Sequence, residues 1–186
     1  MRIIGGFLKR KKIFLPSDKL TRPLRDIVKE SIFNLIQHSN NFKIIMNETH
    51  VLDLFSGSGS FGLECISRGS NMVTFIENHN NALNVLKKNV VKLGIQKKSI
   101  IINQNCFDYF KQKNKQFDKF NLIFIDPPYK ENNIEIILKS IKENKIISDD
   151  GIIIIHRHKK DKNNIRNFLN VIDERSYGIS KIFIGN

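Results

Sequence analysis

Two short segments of the chain carry residue types that do chemistry when brought together. The first, Asp53-Leu54-Phe55-Ser56-Gly57-Ser58-Gly59-Ser60-Phe61-Gly62, joins an apolar run to an amphipathic one and contains Gly-x-Gly-x-x-Gly. Such a loop brings backbone N–H groups close to a ligand at a helix N-terminus, and Glu77 closes the next apolar run 20 residues after Gly57. The spacing alone fits a dinucleotide. A carboxylate four residues before the first glycine, however, repels a pyrophosphate and attracts cations, and S-adenosylmethionine has no phosphate but carries an ammonium and a sulfonium. Asp53 therefore favours S-adenosylmethionine, with Gly57 and Gly59 admitting the ligand to the backbone and Glu77 accepting from the two ribose hydroxyls.

The second segment, Asn121-Leu122-Ile123-Phe124-Ile125-Asp126-Pro127-Pro128-Tyr129, ends an apolar run with a carboxylate, two prolines and an aromatic ring. In an open α/β sheet, ligands sit at that edge. Pro127 and Pro128 restrict the backbone and lack N–H donors, so the Asp126 carboxylate and the Pro127 carbonyl make a rigid pair of acceptors. The exocyclic amine of a nucleobase has two N–H donors to match them, and Tyr129 offers a face for stacking. This suits methyl transfer to nitrogen: the acceptors draw the amine lone pair out of conjugation and aim it at the sulfonium methyl, and Asp126 takes the released proton. Asp126, Pro127, Pro128 and Tyr129 are thus the candidate catalytic group. Asp53, Phe55, Ser56, Gly57, Ser58, Gly59, Glu77 and Asn78, with Asp126, are the candidate cofactor contacts.

The elements that must position these residues follow a regular rhythm. From Val51 onward, short apolar runs alternate with amphipathic ones, the pattern of an α/β domain with a mostly parallel sheet. The predicted strands are Val51–Phe55, Met72–Glu77, Ser99–Asn103, Leu122–Asp126 and Gly151–His156. Ala82, Leu86, Val90 and Leu93, and then Ile134, Leu138 and Ile141, recur at helical spacing and predict crossover helices. Val171–Arg175 and Ile179–Ile184, on either side of Tyr177-Gly178, predict a closing antiparallel hairpin. Residues 1–40 differ: a basic cluster, Lys9-Arg10-Lys11-Lys12, then Thr21-Arg22-Pro23, with Pro23 suited to a first helical turn, then a helix with Ile27, Val28, Ile32, Leu35 and Ile36 inward. They read as an extension docked on a methyltransferase domain spanning 41–186, the whole forming one compact unit.

Composition narrows the partners. Lys and Arg total 31 against 18 Asp and Glu in 186 residues, a formal charge of +13, with 40% of residues apolar. A folded domain this basic attracts polyanions, so nucleic acid leads, although Lys, Asn and Ile abound throughout the chain. Lys9, Arg10, Lys11, Lys12, Thr21, Arg22 and Arg25 are the candidate RNA contacts. Two cysteines, Cys65 and Cys106, without a Cys-x-x-Cys pair, fit a reducing cytoplasm and leave no thiolate zinc site. No apolar run approaches the ~20 residues of a membrane span, and the start lacks the apolar stretch of a signal peptide. His156 and His158 alternate around Arg157; without a third ligand they read as a solvated basic strand end and not as a metal site.

Asp53–Gly59, Glu77 and Asp126–Tyr129 resemble the Rossmann-like S-adenosylmethionine-dependent methyltransferases of exocyclic amines. With Arg2-Ile3-Ile4-Gly5-Gly6, Thr21-Arg22-Pro23, Ser31-Ile32-Phe33-Asn34-Leu35, Leu63-Glu64, Ser67-Arg68-Gly69 and Tyr177-Gly178, the chain resembles the RsmD family, bacterial 16S ribosomal RNA guanine-N2 methyltransferases. The resemblance implies a seven-stranded sheet with helices on both faces and an antiparallel last strand. It also implies a monomer in the cytoplasm acting on guanine 966 of 16S RNA, within an assembling small subunit. Three departures stand out. Leu24 occupies a position where the family has Thr. Asn105-Cys106-Phe107, which the resemblance makes candidate cofactor contacts, stands where such enzymes place an Asp for the adenine amine, leaving adenine to the backbone and to Asn105 or Phe107. His156 stands where the family carries Glu. Two alternatives remain open at this level: an adenine-N6 methyltransferase on DNA or RNA, and a non-catalytic RNA-binding assembly factor with a vestigial cofactor pocket.

Overall fold

The structure, a computed structural model, describes residues 1–18, 24–111, 117–161 and 164–186. One sheet is formed by β1 (His50–Leu54), β2 (Met72–Glu77), β3 (Ser99–Asn103), β4 (Phe120–Ile125), β5 (Ile147–His158), β6 (Val171–Tyr177) and β7 (Ser180–Gly185), in the order β3-β2-β1-β4-β5-β7-β6. β1 to β5 run parallel, and β7 is antiparallel to both β5 and β6, so it alone opposes the rest. The expected closing hairpin is present, turning at Gly178 with φ +62°, and its second strand inserts between β5 and β6.

The central strands are apolar on both faces because both are covered. Val51, Phe75, Phe124 and Ile154 face a core shared with α1 (Asp26–His38), α2 (Ser60–Ser67) and α3 (Asn80–Leu93). Leu52, Ile76, Ile125 and Ile155 face a second core with α4 (Cys106–Tyr109) and α5 (Ile134–Glu143). The helical stripes of α3 and α5 lie where their spacing places them. β2 and β3 keep their expected bounds, and the other five strands shift at one or both ends. β4 starts at Phe120, and β5 starts at Ile147, which pairs with Phe120 across an irregularity in register.

The stripe of α1 is displaced from the expected one. Ile27 is 64% exposed, and Lys29 takes an inward place beside Val28, Ile32, Phe33 and Ile36. The reason is Glu64 of α2, fully buried, whose carboxylate lies 3.6 Å from Lys29 Nζ. Burial lowers the Lys29 pKa, and the Glu64 and Asp26 carboxylates oppose the shift. Glu64 also accepts from the N–H groups of Ile4 at 2.8 Å and Gly5 at 2.7 Å. It thereby fastens an N-terminal hairpin, closed by an Arg2–Lys12 bridge, onto α2, while Ile3, Leu8 and Ile13 enter the first core. Pro23 and the start of its predicted helical turn lie outside the described residues.

Register alone assembles the site. Ile76, Leu54, Ile125 and Ile155 are partners across β2, β1, β4 and β5. The next residues along, Glu77, Phe55, Asp126 and His156, therefore share one edge, where strand order reverses about β1 and a crevice opens.

Candidate active site

The loop from β1 to α2 is held open by carboxylates. Gly57 (φ +57°) and Gly59 (φ +82°) adopt left-handed backbone, and a Cβ on Gly59 would meet Leu86 Cδ1 at 2.4 Å. Phe55 takes φ +57° as well, with its N–H directed at Cys106 Sγ at 3.3 Å. Asp53 Oδ2 accepts from Gly62 N at 2.9 Å, and Glu77 Oε2 accepts from Gly57 N at 2.7 Å. Glu77 Oε1 accepts from the N–H groups of Asn78 at 2.9 Å and His79 at 2.8 Å. Two of the motif's glycine amides are thus already committed to carboxylates, an arrangement that disfavours a pyrophosphate and leaves Glu77 about one of its roughly four acceptor sites for a further donor.

Asp53, Gly57, Glu77, Asn78 and His79 line a cavity of about 500 Å³ together with Asp126, Pro127, Pro128, Tyr129 and His156. Asp53 is 1% exposed, and burial raises its pKa to about 8, with the Gly62 N–H opposing the shift and the Asp126 and Glu77 charges adding to it. A cationic ligand would restore the ionised form. Phe55 and Phe107 also line the cavity, their rings edge-on at 6.0 Å. The donor set fits S-adenosylmethionine: carboxylates for its cationic and hydroxyl groups, aromatic walls for its adenine, and a volume within the ordinary range of small-molecule pockets.

Of the segment after β3, Asn105 and Phe107 reach the cavity and Cys106 does not. Asn105 lines the cavity, but its Oδ1 accepts from Phe107 N at 2.8 Å and caps the short α4. Cys106 does not line the cavity; it packs beneath the loop, 3% exposed, and burial pushes its thiol pKa far up, so it is no nucleophile. Gly59 is likewise turned away from the cavity against Leu86. Ser56, Ser58 and Asn78 line it.

Asp126 follows β4 and its Oδ1 lies 2.7 Å from His156 Nδ1. The expectation of a solvated His156-Arg157-His158 strand end is corrected here: His156 is 6% exposed and Arg157 is 1% exposed. Pairing of both residues with β7, at Ile182 and Lys181, sets them inside the sheet. Arg157 donates to Glu131 O at 2.6 Å, lies 3.5 Å from Pro128 O, and pairs with Asp161. It therefore pins the backbone on the far side of the Asp-Pro-Pro-Tyr segment. Tyr129 meets the His158 ring edge-on at 5.1 Å and the His156 ring at 6.0 Å. Neither His156 nor Arg157 was assigned a site role from the sequence; the signal that could have found them is their position opposite Asp126 in a parallel β4–β5 pair.

Of the candidate RNA contacts, Arg25 is exposed at the cavity mouth and donates to Tyr177 O at 3.3 Å. Thr21 and Arg22 lie outside the described residues. Lys9, Arg10, Lys11 and Lys12 are exposed on the N-terminal hairpin, which bonds Ser67 at the C-terminal end of α2. None of the four lines the cavity. Among the described residues, no cluster of three metal-ligating side chains occurs, and no helix is long and apolar enough to cross a membrane.

A family described as "Conserved hypothetical protein 95" matches residues 1–186. The Ribosomal RNA small subunit methyltransferase D of Haemophilus influenzae is 32% identical over 160 residues, covering 86% of this chain and 79% of that protein. A hypothetical protein of Thermus thermophilus superposes with TM-score 0.81 at 20% identity, over 100% of this chain and 99% of its own. The SAM-dependent methyltransferase of Agrobacterium tumefaciens gives TM-score 0.64 at 14% identity, over 90% and 63%.

Proposed function

Because the chain belongs to the Conserved hypothetical protein 95 family, which is the RsmD family, we propose that it methylates N2 of a guanine in 16S ribosomal RNA, guanine 966, using S-adenosylmethionine. It is a methyltransferase of the S-adenosylmethionine-dependent class acting on ribosomal RNA. The observation that carries the reading is the single edge on which Glu77, Asp126 and His156 meet, with Asp53 lining the same cavity. Only an enzyme needs acceptors for a cation and for an amine in one crevice, which separates this reading from a pure RNA-binding factor.

When bound, S-adenosylmethionine supplies an electrophilic methyl on sulfur. Asp53 and Glu77 hold its cationic and hydroxyl ends, and Phe55 and Phe107 exclude water beside them. Asp126 is fixed through Oδ1 by His156, leaving Oδ2 to accept one N–H of the target amine. The Pro127 carbonyl accepts the other, and Tyr129 stacks on the base. With a methyl group delivered to that nitrogen, Asp126 Oδ2 would be the acceptor placed to take the surplus amine proton. The exposed Lys9–Lys12 hairpin and Arg25, with Thr21 and Arg22, contact RNA phosphates. A monomer acting in the cytoplasm on an assembling small subunit completes the reading.

Transfer of a labelled methyl group to unmodified small-subunit particles, followed by nucleoside identification, tests it. N2-methylguanosine is expected; N6-methyladenosine, or no transfer, would overturn it.

A further inference from the structure

Resting on methylation of a guanine amine, we propose that His156 reads the base, its Nε2 accepting a hydrogen bond from the N1–H beside the methylated amine. His156 lines the cavity and is almost fully buried. Its Nδ1 lies 2.7 Å from Asp126 Oδ1. A carboxylate oxygen only accepts, so this bond assigns the proton to Nδ1, and in the neutral ring Nε2 carries a bare lone pair. That nitrogen is buried and has no hydrogen-bond partner among the described residues. A buried polar atom left unpaired is costly, and in a ligand cavity the missing partner is what the ligand brings.

The pattern of acceptors selects the base. Guanine presents two adjacent donors, its amine and N1–H, whereas adenine presents an amine beside a bare N1 acceptor. Asp126 Oδ2 and His156 Nε2 are both acceptors on residues that line the cavity, so guanine has a donor for each, and adenine would set the lone pair of N1 against that of Nε2. Sites built around such hydrogen bonds reject analogues that cannot make them far more strongly than apolar pockets reject a missing methylene. The imidazole is also held in place: Asp126 fixes one side of the ring, and the Tyr129 ring stands edge-on at 6.0 Å.

The test uses small subunits reconstituted with ligated 16S RNA carrying guanine or 2-aminopurine at the target, since 2-aminopurine keeps the amine but has no hydrogen on N1. Methyl transfer and equilibrium binding in S-adenosylhomocysteine are both read. The wild type is expected to prefer guanine roughly ten- to a hundredfold in kcat/KM and to bind the 2-aminopurine particle more weakly. His156→Phe should level the two substrates, while His156→Gln, whose amide can donate to Asp126 and accept from N1–H, should keep the preference. A wild type indifferent to the substitution, or a His156→Phe variant that retains the preference, would overturn the assignment. Absence of any transfer to the guanine particle would instead sink the methyltransferase reading itself, and this inference with it.

Discussion

Asp53 Oδ2 accepts from the Gly62 N–H at 2.9 Å, so the carboxylate that closes β1 also ties down the first turn of α2. The bond is not enough to keep the group ionised: burial raises its pKa from the ordinary 3.8 to about 8. In the free protein the folded state therefore holds a proton that the unfolded chain has lost between about pH 4 and pH 8. By linkage, the Asp53 contribution to stability is present below pH 4 and declines as pH rises to about 8. Asp53→Asn should remove this part of the pH dependence, which thermal unfolding across the window will measure.

The same titration governs cofactor capture. A cation beside Asp53 favours its ionised form, so S-adenosylmethionine should bind with micromolar affinity, roughly 7–9 kcal/mol, that strengthens from pH 5.5 to 7.5 by up to about tenfold per pH unit, with proton release. Calorimetry in two buffers of different ionisation enthalpy checks both. An affinity flat with pH, without proton release, would remove Asp53 from the cation site.

Asp126→Asn keeps the shape but turns an acceptor into a donor facing the donor amine. Turnover should fall on the order of 10²–10⁴-fold, with cofactor binding intact. Tyr129→Ala should cost about 1–3 kcal/mol through lost stacking, and Tyr129→Phe much less. Near-normal methylation by Asp126→Asn would show that the carboxylate is structural.

Arg157 is buried against Asp161 and the loop carbonyls of Pro128 and Glu131. Arg157→Met should cost about 3–5 kcal/mol in denaturant unfolding, because it breaks a buried ion pair and removes the donor that serves the Pro128 and Glu131 carbonyls. Arg157→Met with Asp161→Leu should recover much of that stability while activity stays low, since the carbonyls that set the Asp-Pro-Pro-Tyr backbone remain unpinned. Equal recovery of stability and turnover would confine Arg157 to a structural role.

Reversing the charges of Lys9, Arg10, Lys11 and Lys12 should weaken binding to the subunit particle and flatten its salt dependence by nearly one log–log unit per lost phosphate contact. Cofactor affinity should hold, because none of the four residues lines the cavity. An unchanged salt slope would make the cluster a bystander face.

By itself, the sequence determined the strand–turn–helix rhythm and the chemistry at three strand ends. Each rests on a local rule: apolar spacing of 2.0 or 3.6 residues, glycines where the backbone turns left-handed, and prolines that stop a strand at Asp126. It could not determine neighbours across the sheet. His156 and Arg157 read as solvated until the parallel pairing of Ile125 with Ile155 set Asp126 beside His156 and buried both basic residues. Lys29 displaced Ile27 from the interior only because Glu64, 35 positions away, had to be neutralised there. Cys106 turned beneath the loop, where the Phe55 amide points at its sulfur, and Asn105, though at the cavity, also serves the Phe107 amide. Periodicity constrains one element at a time, whereas a buried donor or charge takes its partner from whatever the packed chain brings within about 3 Å, and that choice belongs to the tertiary structure.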